Sequence, residues 1–220
     1  MDYPKIVAHG EWQSACEELL KAEKELTRAR DALNARRRQL PMTEVTHDYV
    51  FKSAGRSDLR LVDLFDGRDQ LVLYHNMLTA DHICPGCSIV CDHMMNNFAH
   101  LHARRTSFVM VARASVARIE AVKARFGWHF PWVSCEGTTF HEDFVTAQKQ
   151  AFGMSVFLRR DDRVFQTWFT SGRGVENASN TFNLLDLTPW GRQETWEDSP
   201  PGWPQTPPYQ WQKLHDDYAA

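Results

Sequence analysis

Cys84-Pro85-Gly86-Cys87 stands at the junction between a short apolar, strand-like run, Gln70 to Tyr74, and a run of helical spacing that continues to about Leu101. Two cysteines separated by two residues, where a strand gives way to a helix, are the sequence mark of a thioredoxin-like redox site. The physical reason is local. A thiol at a helix start faces backbone N–H groups without intrahelical partners and the positive end of the helix dipole, and both favour thiolate over thiol. Pro85 suits the first helical position, where it sacrifices no hydrogen bond and presets φ. Gly86 leaves room for another chain to approach the sulfur of Cys84.

With 220 residues and 43% hydrophobic content, the chain can bury one sizeable core, so one domain with appendages is expected. A formal charge of -3 gives no electrostatic case for nucleic acid or an anionic membrane surface. Met1-Asp2-Tyr3-Pro4-Lys5 has no apolar leader character, and no run approaches the roughly 18 apolar residues of a membrane span. A cytoplasmic protein without nucleic-acid or membrane partners is the expectation. Three of the five cysteines crowd together, unlike a secreted disulfide framework, and such clusters in a reducing compartment are catalytic or metal-binding.

Three regions follow from the pattern: a long helix in 1–40, a main domain in 41–190 and an extension in 191–220. Glu11 to Leu40 lacks proline and glycine, and Trp12, Leu19, Leu26, Leu33 and Leu40 recur every seven residues. That is a narrow apolar stripe on a charged rod. It packs on the body of the chain or pairs two copies as a homodimer. After Pro41, His47 to Phe51 and Leu59 to Leu64 read as a hairpin turned at Ser53-Ala54-Gly55. Gln70 to Tyr74 and Ser107 to Ala112 are short, apolar and β-rich, as buried central strands are. Ser115 starts and Gly127 stops a helix.

Trp128 to Gln150 reads as an aromatic insertion, Gly153 to Leu158 and Val164 to Phe169 as a second hairpin, and Asn177 to Leu185 as a last helix. The order β-α-β-α-β-β-α is the thioredoxin topology. Beyond Thr188-Pro189, the prolines of 199–208 exclude helix and central strand. They leave an extended Pro/Trp-rich strap, pinned by Trp203, Tyr209 and Trp211 and ending in a short helical turn. The expected class is therefore α/β, thioredoxin-like, with an added N-terminal helix and hairpin and this C-terminal strap.

Cys84-Pro85-Gly86-Cys87-Ser88, Gly127-Trp128-His129-Phe130-Pro131-Trp132-Val133-Ser134, Met154-Ser155-Val156-Phe157-Leu158-Arg159, Gly172-Arg173-Gly174-Val175-Glu176 and Leu185-Asp186-Leu187-Thr188-Pro189 together resemble the bacterial thioredoxin-like family DUF899. The resemblance runs from about Glu11 to Tyr218. It implies a thioredoxin-like fold and a dithiol site at Cys84 and Cys87, and supplies no substrate. Thioredoxins carry a cis-proline before the third core strand; Met154 and Ser155 occupy that place here.

The leading expectation is a thiol-disulfide oxidoreductase without cofactor, in which Cys84 attacks and Cys87 resolves. Its partner is a disulfide-containing protein or a small-molecule thiol. Pro85, Gly86, Met154, Ser155 and Arg173 are the groove candidates, Arg173 because its guanidinium suits an anionic substrate. Cys91 shares a helix stripe with Cys84 and Cys87, since i, i+3 and i+7 lie on one face. It is either a small buried core residue or, with His82, part of a thiolate site for copper or zinc. Cys87-x-x-x-Cys91 resembles the copper-handling Sco proteins in that one spacing. A peroxiredoxin-like peroxidase is a further alternative, with Asp81 where those enzymes carry threonine, and so is a non-catalytic module that binds partners through the long helix.

Overall fold

The computed structural model describes residues 3–94 and 97–218. Its first element is helix α1, His9–Arg37, and no side chain of α1 is buried. Trp12, Leu19, Leu26 and Leu33 are each more than half exposed, so the heptad stripe does not pack on the body as one of its two readings requires. At the end of the helix the Arg37 guanidinium lies 4.6 Å over the Trp168 ring.

Strands β1, Thr43–Glu44, β2, Val50–Ser53, and β3, Arg56–Arg60, follow. The expected strand to Leu64 stops early. Leu61–Phe65 is a 3-10 turn, because Asp63 accepts the Arg60 backbone N–H at 2.7 Å and four apolar residues of this turn are buried together. Strand β4, Gln70–His75, leads to helix α2, Pro85–Asp92. The helical run expected to reach Leu101 is broken: a short helix α3, Ala99–His102, is separate, and Asn97 turns its side chain to accept the Ala99 N–H at 2.8 Å. Asparagine competes in this way with helix hydrogen bonding.

Strand β5, Thr106–Ala112, and helix α4, Val116–Phe126, stand where expected. Ser115 caps α4 through the Arg118 N–H, and Gly127 ends it at φ 68°, a conformation glycine adopts without steric cost. The supposed insertion is instead part of the sheet. It contributes strand β6, Trp132–Ser134, parallel to β5, and helix α5, Phe140–Phe144. Three residues are too short a run for alternation to reveal a strand. Strands β7, Gly153–Arg160, and β8, Arg163–Thr170, form the second hairpin, and helix α6, Asn180–Leu185, closes the domain. Among the described residues, the C-terminal segment contributes no strand to the sheet and includes a 3-10 turn, His215–Asp217.

The strand order is β1-β8-β7-β4-β5-β6-β2-β3, with β4, β5 and β6 parallel, β7 antiparallel to β4, and β8 antiparallel to β7. Six inter-strand steps of about 4.8 Å separate β1 from β2, roughly 29 Å on a flat sheet. The six residues from Glu44 to Val50 span at most about 21 Å, so the sheet must curl. Inside the curl lies one core, with Phe51, Phe65, Leu71, Leu73, Val109, Val111, Phe140 and Phe157. The other face carries Tyr74, Phe108, Met110, Ile119, Val122, Trp128 and Trp132, packed together with Cys84, Cys87 and Cys91. Alternation along β4 and β5 divides these residues between the two faces.

Candidate functional site

Cys84 is the N-cap of α2, extended at φ -78° and ψ 121°, and its Sγ accepts the backbone N–H of Cys87 at 3.4 Å. Pro85 takes the first helical position, and the Ser88 hydroxyl donates to the Cys84 carbonyl at 3.0 Å. Cys84 retains 9% exposure and Cys87 only 2%. Strand β4 aims Tyr74 at the same spot: its buried hydroxyl donates to Cys87 Sγ at 3.5 Å.

These contacts split the two thiols. A hydrogen bond from the Cys87 thiol, with the backbone N–H groups of Cys87 and Gly86 and the side chain of His82, outweighs the cost of burial and brings Cys84 from 9.0 down to about 6. The Cys84 sulfur and burial push Cys87 well above the ordinary thiol range. Near neutral pH, the pair therefore carries a thiolate on the outer sulfur and the remaining proton on the inner one.

Cys91, a turn further along α2, has different partners. Asn76 Nδ2 donates to its sulfur at 3.4 Å, the sulfur lies 3.5 Å from Met110 Sδ, and burial pushes its thiol up. Among the described residues, no group of three or more His, Cys, Asp or Glu side chains converges as a metal site. Cys135 donates to the Ala112 carbonyl at 3.3 Å, and burial pushes it up to about 12. Cys16 lies exposed on α1.

The groove candidates separate. Met154 packs against the cysteine face, whereas Ser155 is fully buried on the opposite face, 2.8 Å from His75 Nε2. Neighbours on a strand point to opposite sides, so one of the two had to fail. Arg173 pairs with Glu176 at 3.4 Å and stacks 4.1 Å over Trp196, outside the cavity beside the dithiol. Gly86 lies under the chain's own strap: a Cβ there would stand 2.9 Å from Gln212 Oε1 and 3.9 Å from Cys84 Sγ. Gln212 of the same polypeptide thus stands in the space beside Gly86 where the sequence leaves room for another chain.

The cavity has about 390 Å³ and is walled by Tyr74, Met77, Phe152, Val175 and Phe182, with Tyr209 and Gln212 at the strap side. Only Pro85 and Gly86 of the groove candidates line it. A buried polar knot holds the strap. Glu194, 0% exposed, accepts the Tyr209 backbone N–H and the Trp211 indole N–H, both at 2.7 Å. Arg192 grips Asp186 with two bonds of 2.6 and 2.8 Å and Glu176 with one of 2.7 Å. Tyr74 was traceable as the last cysteine-face residue of an alternating strand. Glu194 and Gln212 carry no local signal, because their positions depend on contacts far along the chain.

A dithiol on the first turn of the helix that follows a central strand, beside a mixed sheet ordered β6-β5-β4-β7-β8, defines a thioredoxin-like protein. The chain belongs to the family described as "Bacterial protein of unknown function (DUF899)", which matches residues 1–218. No curated protein matches it. Solved structures similar to it include a thioredoxin from Wuchereria bancrofti, at 15% identity over 67% of this chain and 97% of that one, TM-score 0.44. Another is a PrxQ mutant from Xylella fastidiosa, at 19% identity over 63% and 89%, TM-score 0.40. A third is BsSco, described as a member of the Sco family of cytochrome c oxidase assembly proteins, at 15% identity over 58% and 85%, TM-score 0.36. Among the described residues, no helix is long and apolar enough to cross a membrane.

Proposed function

We propose that the protein is a thiol-disulfide oxidoreductase in which Cys84 attacks and Cys87 resolves. The observation that carries this reading is the split of the two thiols, Cys84 lowered to about 6 and Cys87 raised. The Cys84 thiolate attacks one sulfur of a substrate disulfide, that S–S bond breaks, and the leaving thiolate takes a proton from solvent. Cys87 then loses its proton and attacks Cys84 Sγ, releasing the second substrate thiol. Two electrons pass from the dithiol to the substrate, and the Cys84–Cys87 disulfide remains until a thiol reductant reverses the exchange. Tyr74, 3.5 Å from Cys87 Sγ, is placed to hold the resolving sulfur toward Cys84. The chemistry needs only the two sulfurs, and a reducing compartment such as the cytoplasm suits it.

Cys87→Ser should stop the reaction at a mixed disulfide through Cys84, detectable by non-reducing mass spectrometry after exposure to a disulfide. Cys84→Ser should form none. Equal trapping by both variants, or by neither, sinks the assignment of roles.

A further inference from the structure

We propose that the substrate is a small, uncharged disulfide with an apolar body, and that the chain's own strap excludes polypeptides from Cys84. This inference rests on the oxidoreductase reading above. A protein disulfide must reach the attacking sulfur with several residues of backbone around it, and the surface over Gly86 is where such a backbone would lie. Gln212 occupies that surface, its Oε1 within 2.9 Å of the point where a Cβ on Gly86 would stand. Glu194 fixes the strap immediately ahead of this contact, through Tyr209 and Trp211.

What remains open to Cys84 is the cavity of about 390 Å³. That is the size of a small-molecule site. Its walls are apolar, with Met77, Phe152, Val175 and Phe182 facing the space beside the sulfur. Among the described residues, no cationic side chain lines it. The carboxylate on its wall, Glu176, is already held by Arg192 at 2.7 Å. An anionic disulfide would lose hydration there and gain no counter-charge, whereas an apolar one is favoured by burial of its surface. The reaction is the exchange written above: the small disulfide accepts two electrons and leaves as two thiols.

Reduced wild-type protein is mixed separately with 2,2′-dithiodipyridine, oxidised glutathione and insulin, and formation of the Cys84–Cys87 disulfide is followed by mass spectrometry. Each rate is divided by that of free dithiothreitol with the same oxidant, which removes intrinsic reactivity. The neutral aromatic disulfide should exceed both others by about tenfold or more after this correction. A corrected insulin rate equal to or above it overturns the proposal. Gln212→Ala should raise the insulin rate by about threefold or more and the dipyridyl rate by less, and an unchanged insulin rate removes the strap as the barrier. Absence of a Cys84–Cys87 disulfide with every oxidant overturns the oxidoreductase reading itself, an outcome distinct from loss of selectivity.

Discussion

Cys87→Ala should raise the Cys84 titration midpoint by more than one unit, because the Cys87 thiol is the largest of the groups holding Cys84 near 6. The backbone N–H groups of Gly86 and Cys87 survive the substitution and keep the midpoint below the ordinary 9.0. At pH 5, a thiol of pKa about 6 is roughly a tenth ionised and one of pKa 9 about one part in ten thousand, a ratio of about 1000. Nucleophilicity falls with pKa, with a Brønsted coefficient near 0.5, so three units of lowering cost about 30-fold in intrinsic rate. Wild-type Cys84 should therefore react about 30-fold faster than an unperturbed thiol at pH 5, and only about threefold faster at pH 7. The assay is iodoacetamide alkylation from pH 4 to 10, read at Cys84 by peptide mass spectrometry and scaled to its own high-pH plateau to remove accessibility. A wild-type midpoint near 9, or a midpoint that Cys87→Ala leaves in place, would refute the hydrogen-bond account.

Because the folded pKa of Cys84 lies below its unfolded value of 9.0, its stabilisation is fully present above pH 9 and lost as pH falls through about 6. Urea unfolding of reduced wild type relative to Cys84→Ala should accordingly gain up to about 1.4 kcal/mol per pH unit within that window, and a flat difference would contradict it. Glu194→Ala leaves the Tyr209 N–H and Trp211 indole N–H without their buried acceptor, at about 1–3 kcal/mol each. New proteolytic cleavage within 199–214 should accompany the loss, and an unchanged melting temperature and digest would show that the knot is not what holds the strap. Leu19→Glu with Leu26→Glu, at positions 61% and 62% exposed, should leave unfolding of the body within about 0.5 kcal/mol. If the stripe pairs two copies, the same variant halves the mass seen by light scattering, and an equal mass for variant and wild type rules that pairing out.

Local signals carried the sequence reading a long way. Cys84 as a helix cap followed by Pro85, Ser115 and Gly127 bounding α4, and the alternating runs of β4 and β5 each depend on a few adjacent residues, which is why they were legible. Where burial comes from distant partners, the reading failed. β6 is three residues long and depends on the edges that β5 and β2 offer it. Ser155 looked like a groove residue by its proximity to Met154, yet strand alternation sends it to His75. The strap, expected to be extended and pinned by Trp203, Tyr209 and Trp211, instead runs through turns with one bridge, Glu194 to Thr206, and Glu194 holds it through the Tyr209 backbone N–H and the Trp211 indole N–H. Its course over Gly86 depends on Glu194, a carboxylate indistinguishable in the sequence from the surface acids around it.

The curled sheet has a consequence for the order in which this chain can be completed. Residues 43–60 supply strands toward both ends of the sheet: Thr43 pairs with Gln166, and Lys52 with Ser134. These strands leave the ribosome early, yet their partners follow 123 and 82 positions later. At about 5–20 residues per second, β1 waits roughly 6 to 25 seconds for its neighbour. Until β6 arrives, β2 has only its hairpin partner β3, with Phe51 opposite Leu59, to shield it, and the charged rod of α1 is complete before them.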